Sequence, residues 1–303
     1  MKEVRTTLVQ SSNKEEILPE FSEEFPYIAT HTEYDHFVIP TVPWHWHNAL
    51  ELFYIERGEL HYVTPGGEHI FPAGSGGLIN SGVLHASHWD LSQGSTIQFL
   101  HFFDPEFLSG KAGSRIDQNY VRPLVYQSGM DVLPLYPDCD AHAPVLRMIR
   151  EAFDLSESDF GFEFQIRQRL CDIWLRLAEI AKQTTWTSGA GSRPSEQIKQ
   201  MMIYVHEHYA ERISVDDLAQ AAHLSKRACF RVFQENLHMT PVEYIQSYRL
   251  QIACQLLADE KFSITEIAYR CGMGSSSYFG KVFREAKGCT PLEYRRLWHD
   301  HYK

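Results

Sequence analysis

The chain has 303 residues, 44% hydrophobic and 22% charged, an ordinary globular balance with room for two domains and a core in each. Net charge is −11, which taken whole argues against a nucleic-acid partner; residues 1–193 hold 14 Lys+Arg against 26 Asp+Glu, but residues 194–303 hold 14 against 13 and so permit one. No run approaches the roughly 18 apolar residues of a membrane span, the N-terminal segment lacks a signal-peptide core, and the six scattered cysteines form no Cys-x-x-Cys pair, so a reduced, cytoplasmic protein with no membrane partner is expected.

Residues from about 25 to 135 carry short apolar alternations separated by Gly and Pro, as in ELFYIERGELHYV and STIQFLHFF. That pattern predicts an all-β sandwich or small barrel. A hairpin turning at Pro65-Gly66-Gly67 is expected. Within this region His45, His47 and Glu51 are spaced to share one face of a regular strand, with Gly58 after them. The spacing His-x-His-x3-Glu-x6-Gly resembles the first motif of the cupin barrels. Gly74-x5-Asn80-x-Gly82-x2-His85 resembles the second motif, with Asn80 standing where Pro is usual. The resemblance implies a barrel whose interior gathers His45, His47, Glu51 and His85. If a metal is present, these four are its ligands, and Zn, Mn, Fe or Ni suits the set. Without a metal they line a pocket for a small polar effector. Trp46 is added to the pocket as an aromatic face, though a regular strand would turn it away from the histidines. The other histidines, His61, His69, His88 and His101 among them, are expected to be solvated or hydrogen-bonded in place.

Residues 144–183 change to a helical period, and Ile166, Leu170, Ile173, Leu177 and Ile180 form one stripe. Packing on the β domain and pairing between two subunits both bury such a stripe. Residues 184–195, TTWTSGAGSRPS, read as a linker.

The second half contains a repeat. VFQENLHMTPVEYIQ (232–246) matches VFREAKGCTPLEYRR (282–296), and ISVDDLAQAAHLS (213–225) matches FSITEIAYRCGMG (262–274). Each copy predicts helix, tight turn, helix. Ser214 with Asp217 and Ser263 with Glu266 fit capping boxes, as do Thr240 with Glu243 and Thr290 with Glu293. The turns fall at His223-Leu224-Ser225 and Gly272-Met273-Gly274. Small turn residues and basic side chains on each second helix separate this from a plain bundle and point to helix-turn-helix units.

Over residues 198–297 the sequence resembles the DNA-binding domain of AraC/XylS-type transcription regulators, most plainly in LAQAAHLSKRACFRVFQENLHMTPVEYIQSYRLQIACQLL and SITEIAYRCGMGSSSYFGKVFREAKGCTPLEYRR. The resemblance implies two units joined by one long helix, roughly Pro241–Asp259, with Tyr248, Leu250, Ala253 and Leu256 inside. It implies base-facing residues Arg227, Phe230 and Arg231 in the first unit and Ser276, Ser277, Tyr278 and Lys281 in the second. Phe230 departs from the polar residue often found there. Ser225, Ser275 and Arg284 are expected at phosphates.

The expected architecture is therefore α+β and multidomain. A cupin-like effector-binding barrel with an N-terminal arm spans 1–143, helices with a possible dimerisation role 144–183, a linker 184–195, and a DNA-binding domain with two helix-turn-helix units 196–303. The implied function is a sequence-specific, non-enzymatic regulator bound to double-stranded DNA. It answers to a small polar effector, with a sugar as the leading class, and activates catabolic genes. RNA polymerase and a second copy of the chain are the implied partners. Regulators of this type commonly use the barrel positions as metal-free lining, so no cofactor is expected. The alternative is a metal-dependent cupin enzyme with a helical appendage.

Overall fold

Strand alternation here has both of its faces covered, and this shapes the N-terminal half. The computed structural model describes residues 2–4, 22, 24–36, 40–127, 129–184, 196–258 and 261–301. Among them ten strands form two sheets: β1 Lys2–Val4, β2 Tyr27–Glu33, β3 Thr41–His45, β4 Leu50–Arg57, β5 Glu59–Thr64, β6 Gly67–Pro72, β7 Gly76–Ile79, β8 His85–His88, β9 Ile97–Phe103 and β10 Val132–Leu135. The larger sheet runs β1-β2-β9-β4-β7-β10, antiparallel except for the β1–β2 pair, and the smaller runs β3-β8-β5-β6. Thr64 pairs with Gly67 across the expected hairpin turn.

Side chains alternate between two cores. On β4, Leu50 and Leu52 join the core shared with the helices, while Phe53 and Ile55 join the core between the sheets. On β9, Phe99 and Phe103 face the helices and Leu100 and Phe102 face inward. Because both faces are dry, β4 shows nearly unbroken burial instead of a wet-dry alternation.

Two short helices, α1 Pro105–Ser109 and α2 Arg122–Val125, precede α3 Ala143–Ala152 and α4 Phe162–Gln183. Ile166, Leu170, Ile173 and Leu177 are buried in one cluster with Leu50, Leu52, Phe99 and Phe103, and Ile180 packs against its edge. Of the two ways to bury the stripe, packing on the chain's own sheet is the one the structure adopts. At roughly 1.5–3 kcal/mol for each large apolar side chain removed from water, this stripe is a major contribution to the N-terminal core.

The chain divides into two compact units between residues 194 and 195. Most of the expected N-terminal arm, and residues 185–195 of the expected linker, lie outside the described residues. The second unit is helical: α5 Glu196–His208, α6 Val215–Ala221, α7 Lys226–Leu237, α8 Pro241–Ala258, α9 Ile264–Arg270, α10 Ser276–Lys287 and α11 Pro291–His301. Helix α5 packs with α6 and α7; α8 packs with α9 and α11, and also touches α7. Thus α8 touches helices of both helix-turn-helix pairs, α7 of the first and α9 of the second. Its interior differs in detail from the expected set. Leu250 and Ala253 are buried, but Tyr248 and Leu256 are only partly covered, and Tyr244, Cys254 and Leu257 are the deep residues. Asp259 lies outside the described residues. No helix among the described residues is long and apolar enough to cross a membrane.

Candidate functional sites

The first site lies in the N-terminal unit, where the two sheets face each other. His45, His47, Glu51 and His85 are all nearly inaccessible, at 4%, 2%, 2% and 1% exposure. They converge, but not by the regular-strand route. The β3–β8 register shifts between Val42 and His45, and β3 ends at His45, which pairs with His85. His45, Trp46 and His47 are then buried in succession. Ring centroids are 4.1 Å apart for His45 and His85 and 5.2 Å for His47 and His85.

Each imidazole is anchored the same way. Nδ1 of His45 contacts the Pro43 carbonyl at 2.8 Å, Nδ1 of His47 that of Ala49 at 2.8 Å, and Nδ1 of His85 that of Val83 at 2.9 Å. A carbonyl only accepts, so Nδ1 carries the proton in each ring. In a neutral imidazole Nε2 then offers a lone pair. Nε2 of His47 and of His85 lie 3.1 and 3.3 Å from one Glu51 carboxylate oxygen, and His85 Nε2 is buried with no hydrogen-bond donor. Lone pairs facing a carboxylate in a dry interior repel. A proton or a cation between them resolves the conflict.

Burial alone would raise the Glu51 pKa. Protons on the His47 and His85 Nε2 atoms that face it would outweigh burial and hold the carboxyl well below the usual range. Burial first, and the neighbouring His85 and His47 next, press the His45 pKa well below its ordinary value.

His45, His47 and His85 each bring a ring nitrogen within 4.8 Å of the others, with the Glu51 carboxylate beside His47 and His85; such a set fits a borderline divalent metal, and backbone carbonyls on the far nitrogens are the orienting contacts such ligands use. His45, His47, His85 and Glu51 are the residues that would hold it. Asn80, the departure from the second motif, does not bear on this. Its amide donates to the Val125 and Met130 carbonyls at 3.0 and 3.1 Å and accepts from Ser81 N–H at 2.9 Å. Its side chain is spent on backbone groups of its own loop and of Val125 and Met130.

Sequence reasoning missed the shell behind Glu51. Tyr62 donates to Glu51, Gln98 Nε2 donates to the Tyr62 hydroxyl at 2.7 Å, and Tyr34 donates to Gln98 Oε1. The legible signal was Gln98, a lone amide inside the apolar strand QFLHFF and fully buried.

The second site is the exposed surface of α7 and α10. Ser225 and Ser275 cap these helices by accepting from Ala228 and Tyr278 N–H. Cys229, Val232 and Phe233, and Phe279, Val282 and Phe283, are buried as the stripe requires. Arg227, Phe230, Arg231, Ser276, Ser277, Tyr278, Lys281 and Arg284 are all exposed. Arg231 and Lys281 stand at matching positions, each 3.9 Å from a glutamate one turn on, Glu235 and Glu285. Pairs this loose and this exposed are weak, so both cations are available to a polyanion.

The turns are built as expected. His223 and Gly272 occupy the same place in the two copies, and both take positive φ, 54° and 68°. A Cβ at Gly272 would meet the Tyr209 carbonyl at 2.3 Å. All four capping boxes form, with Asp217, Glu243, Glu266 and Glu293 accepting from their cap residues' N–H at 2.7, 2.7, 2.8 and 2.7 Å.

Comparison with known proteins gives a consistent assignment. Residues 33–172 match the AraC-like ligand binding domain, and residues 218–297 match a helix-turn-helix domain. The "Uncharacterized HTH-type transcriptional regulator YdeC" of Bacillus subtilis (strain 168) is 26% identical over 95% of this chain and 98% of its own. The "HTH-type transcriptional activator RhaS" of Salmonella schwarzengrund is 31% identical over 41% of this chain and 44% of its own, so that match spans less than half of the relative. Among solved structures, ToxT from Vibrio cholerae aligns over 89% of this chain and 98% of its own at 16% identity, with a TM-score of 0.48.

Proposed function

We propose that this chain, which belongs to the AraC-type transcription regulators, is an effector-responsive activator that reads DNA with α7 and α10. The observation that carries the proposal is the pairing of two capped, exposed reading helices with a separate unit holding a buried polar cluster.

In the first unit Arg227 and Arg231 supply the bidentate geometry that guanine edges match, and Phe230 supplies apolar contact for a thymine methyl. In the second, Lys281 supplies charge, Ser276 and Ser277 supply hydroxyls, and Tyr278 both ring and hydroxyl. Ser225, Ser275 and Arg284 sit where the helix N-termini and flank meet phosphates. The activator reading draws on relatives named as activators. Catabolic genes, RNA polymerase contact, a cytoplasmic setting and a homodimer complete the proposal. Because the α4 stripe is covered within the chain, pairing through these helices would use their outer side, where Phe164 and Leu175 are exposed.

His45, His47, Glu51 and His85, with the buried Trp46 between the first two in sequence, form the effector site. Glu51 accepts from hydroxyls and the imidazoles offer polar edges, the chemistry of a small polyol or sugar. A second reading of the same site follows from the anchored imidazoles. A divalent ion there would add Lewis acidity and draw an anionic or hydroxyl-bearing effector. It would equally serve a cupin enzyme, but the relatives the chain matches are regulators, which favours binding over turnover.

The test is a gel-shift measurement on fragments selected from genomic DNA. Arg231→Ala and Lys281→Ala should each weaken specific binding by about 1–3 kcal/mol and relax selectivity at different positions of the site. Unchanged specific binding in the double variant would reject the assignment of α7 and α10. Metal analysis of the purified chain separates the two readings of the effector site. A stoichiometric metal supports the second, and its absence together with a sugar-dependent rise in melting temperature supports the first.

A further inference from the structure

The smaller sheet carries a second group of histidines on its outer face, used by neither site above. His85 and His88 lie three residues apart on β8, so they point to opposite sides of the sheet. His85 faces the buried cluster. His88 faces out, directly across the strand pair from His61 of β5. Their rings stack with centroids 4.6 Å apart at an interplanar angle of 27°. Glu68 reaches over from β6 and places one carboxylate oxygen 2.9 Å from His61 Nδ1 and 3.0 Å from His88 Nε2. Glu59 contacts the other nitrogen of His61, Nε2, at 3.1 Å.

This arrangement calls for a positive charge. A neutral imidazole donates through one nitrogen only. Both nitrogens of His61 face carboxylates, so a neutral ring must turn a lone pair on one of them. Two carboxylates beside two neutral imidazoles leave the patch at −2. If His61 gives its Nε2–H to Glu59, its Nδ1 lone pair points to the same small volume as His88 Nε2 and the Glu68 oxygen. Those three atoms lie within 4.8 Å of one another. Glu59 then acts as the orienting carboxylate behind a histidine ligand, which fixes the tautomer and raises the basicity of Nδ1.

We propose that His61, His88 and Glu68 form a surface site for a divalent transition metal of the zinc class, with Glu59 as its positioning residue. Two imidazoles and a carboxylate are the donor set zinc accepts, and solvent reaches the edge of the group, leaving a further coordination position for water. The three ligands stand on paired strands, so their spacing is held by the sheet and not by a loop. The site is independent of the regulator assignment and of whatever the buried cluster binds.

The test is zinc titration of the chelator-stripped full-length chain against a chelating indicator at neutral pH, comparing wild type with His88→Gln and Glu59→Gln. Both positions are solvent-accessible, and thermal melts confirm that the variants fold. Wild type should bind one more equivalent of zinc in the micromolar range than His88→Gln. Glu59→Gln should retain that equivalent with affinity reduced about 10–100-fold. Any zinc in the buried cluster is common to all three proteins and cancels in the comparison. Equal stoichiometry and affinity in wild type and His88→Gln would overturn the proposal. So would zinc addition that leaves the His61 and His88 ring resonances unmoved, the outcome expected if His61 is simply a doubly hydrogen-bonded imidazolium.

Discussion

Single residues carry the two sites, and their legibility differed with how local their geometry is. His45, His47, Glu51 and His85 were readable because motif spacing survives even where strand regularity fails. The register shift between Val42 and His45 was not readable, since it depends on which strand pairs with β3. The same limit hid Tyr62 and Gln98, whose contact with each other and with Glu51 crosses from one sheet to the other. Tyr62→Phe removes the donor to Glu51 and leaves the Gln98 amide without its acceptor. It should cost about 1–3 kcal/mol in chemical denaturation of the N-terminal unit, the penalty for buried polar groups left unpaired. In the second unit the turn residues give a prediction of opposite signs. Gly272→Ala forces a Cβ against the Tyr209 carbonyl at positive φ and should destabilise by more than about 1 kcal/mol. His223→Gly, at the matching place with φ of 54°, should be neutral or stabilising, because a Cβ is already tolerated there at a cost. Thermal melts of the two variants check both.

At the scale of elements, helices were more legible than strands. Capping signals are local, so Ser214, Thr240, Ser263 and Thr290 each stand where the sequence placed them. The partner of the α4 stripe is not local, and the sequence left both possibilities open until the sheet supplied Leu50, Leu52, Phe99 and Phe103. The caps also set a pH dependence. Hydrogen bonds from Ser214, Thr240, Ser263 and Thr290 lower the pKa of Asp217, Glu243, Glu266 and Glu293 below their ordinary values of 3.8 for Asp and 4.5 for Glu. The unfolded chain therefore takes up these protons first. The caps' contribution is fully present above about pH 4.5 and fades as pH falls through the lowered folded values. A Thr240→Ala/Thr290→Ala variant should show a smaller loss of helical signal between neutral and acid pH than wild type, measured by circular dichroism. An equal loss would show that the caps do not set the acid limit.

For the molecule as a whole, charge is divided unevenly. The acidic excess lies in the N-terminal portion, and the near-neutral C-terminal portion carries six of its 14 Lys and Arg on α7 and α10, Lys226, Arg227, Arg231, Lys281, Arg284 and Lys287. Binding should therefore weaken steeply with salt, with log K falling by roughly 0.9 per log unit of salt for each phosphate neutralised. Arg284→Ala should lower that slope by about 1 and weaken all sequences alike, unlike Arg231→Ala. The most direct measurement of the central claim is hydroxyl-radical footprinting of the full-length chain on a selected site. Two protected patches should lie on one face of the duplex about one helical turn apart, roughly 34–36 Å. Arg227→Ala/Arg231→Ala should erase one patch and Lys281→Ala should weaken the other. A single patch, or two patches that respond alike to both variants, would contradict an account in which α7 and α10 read separate groove segments.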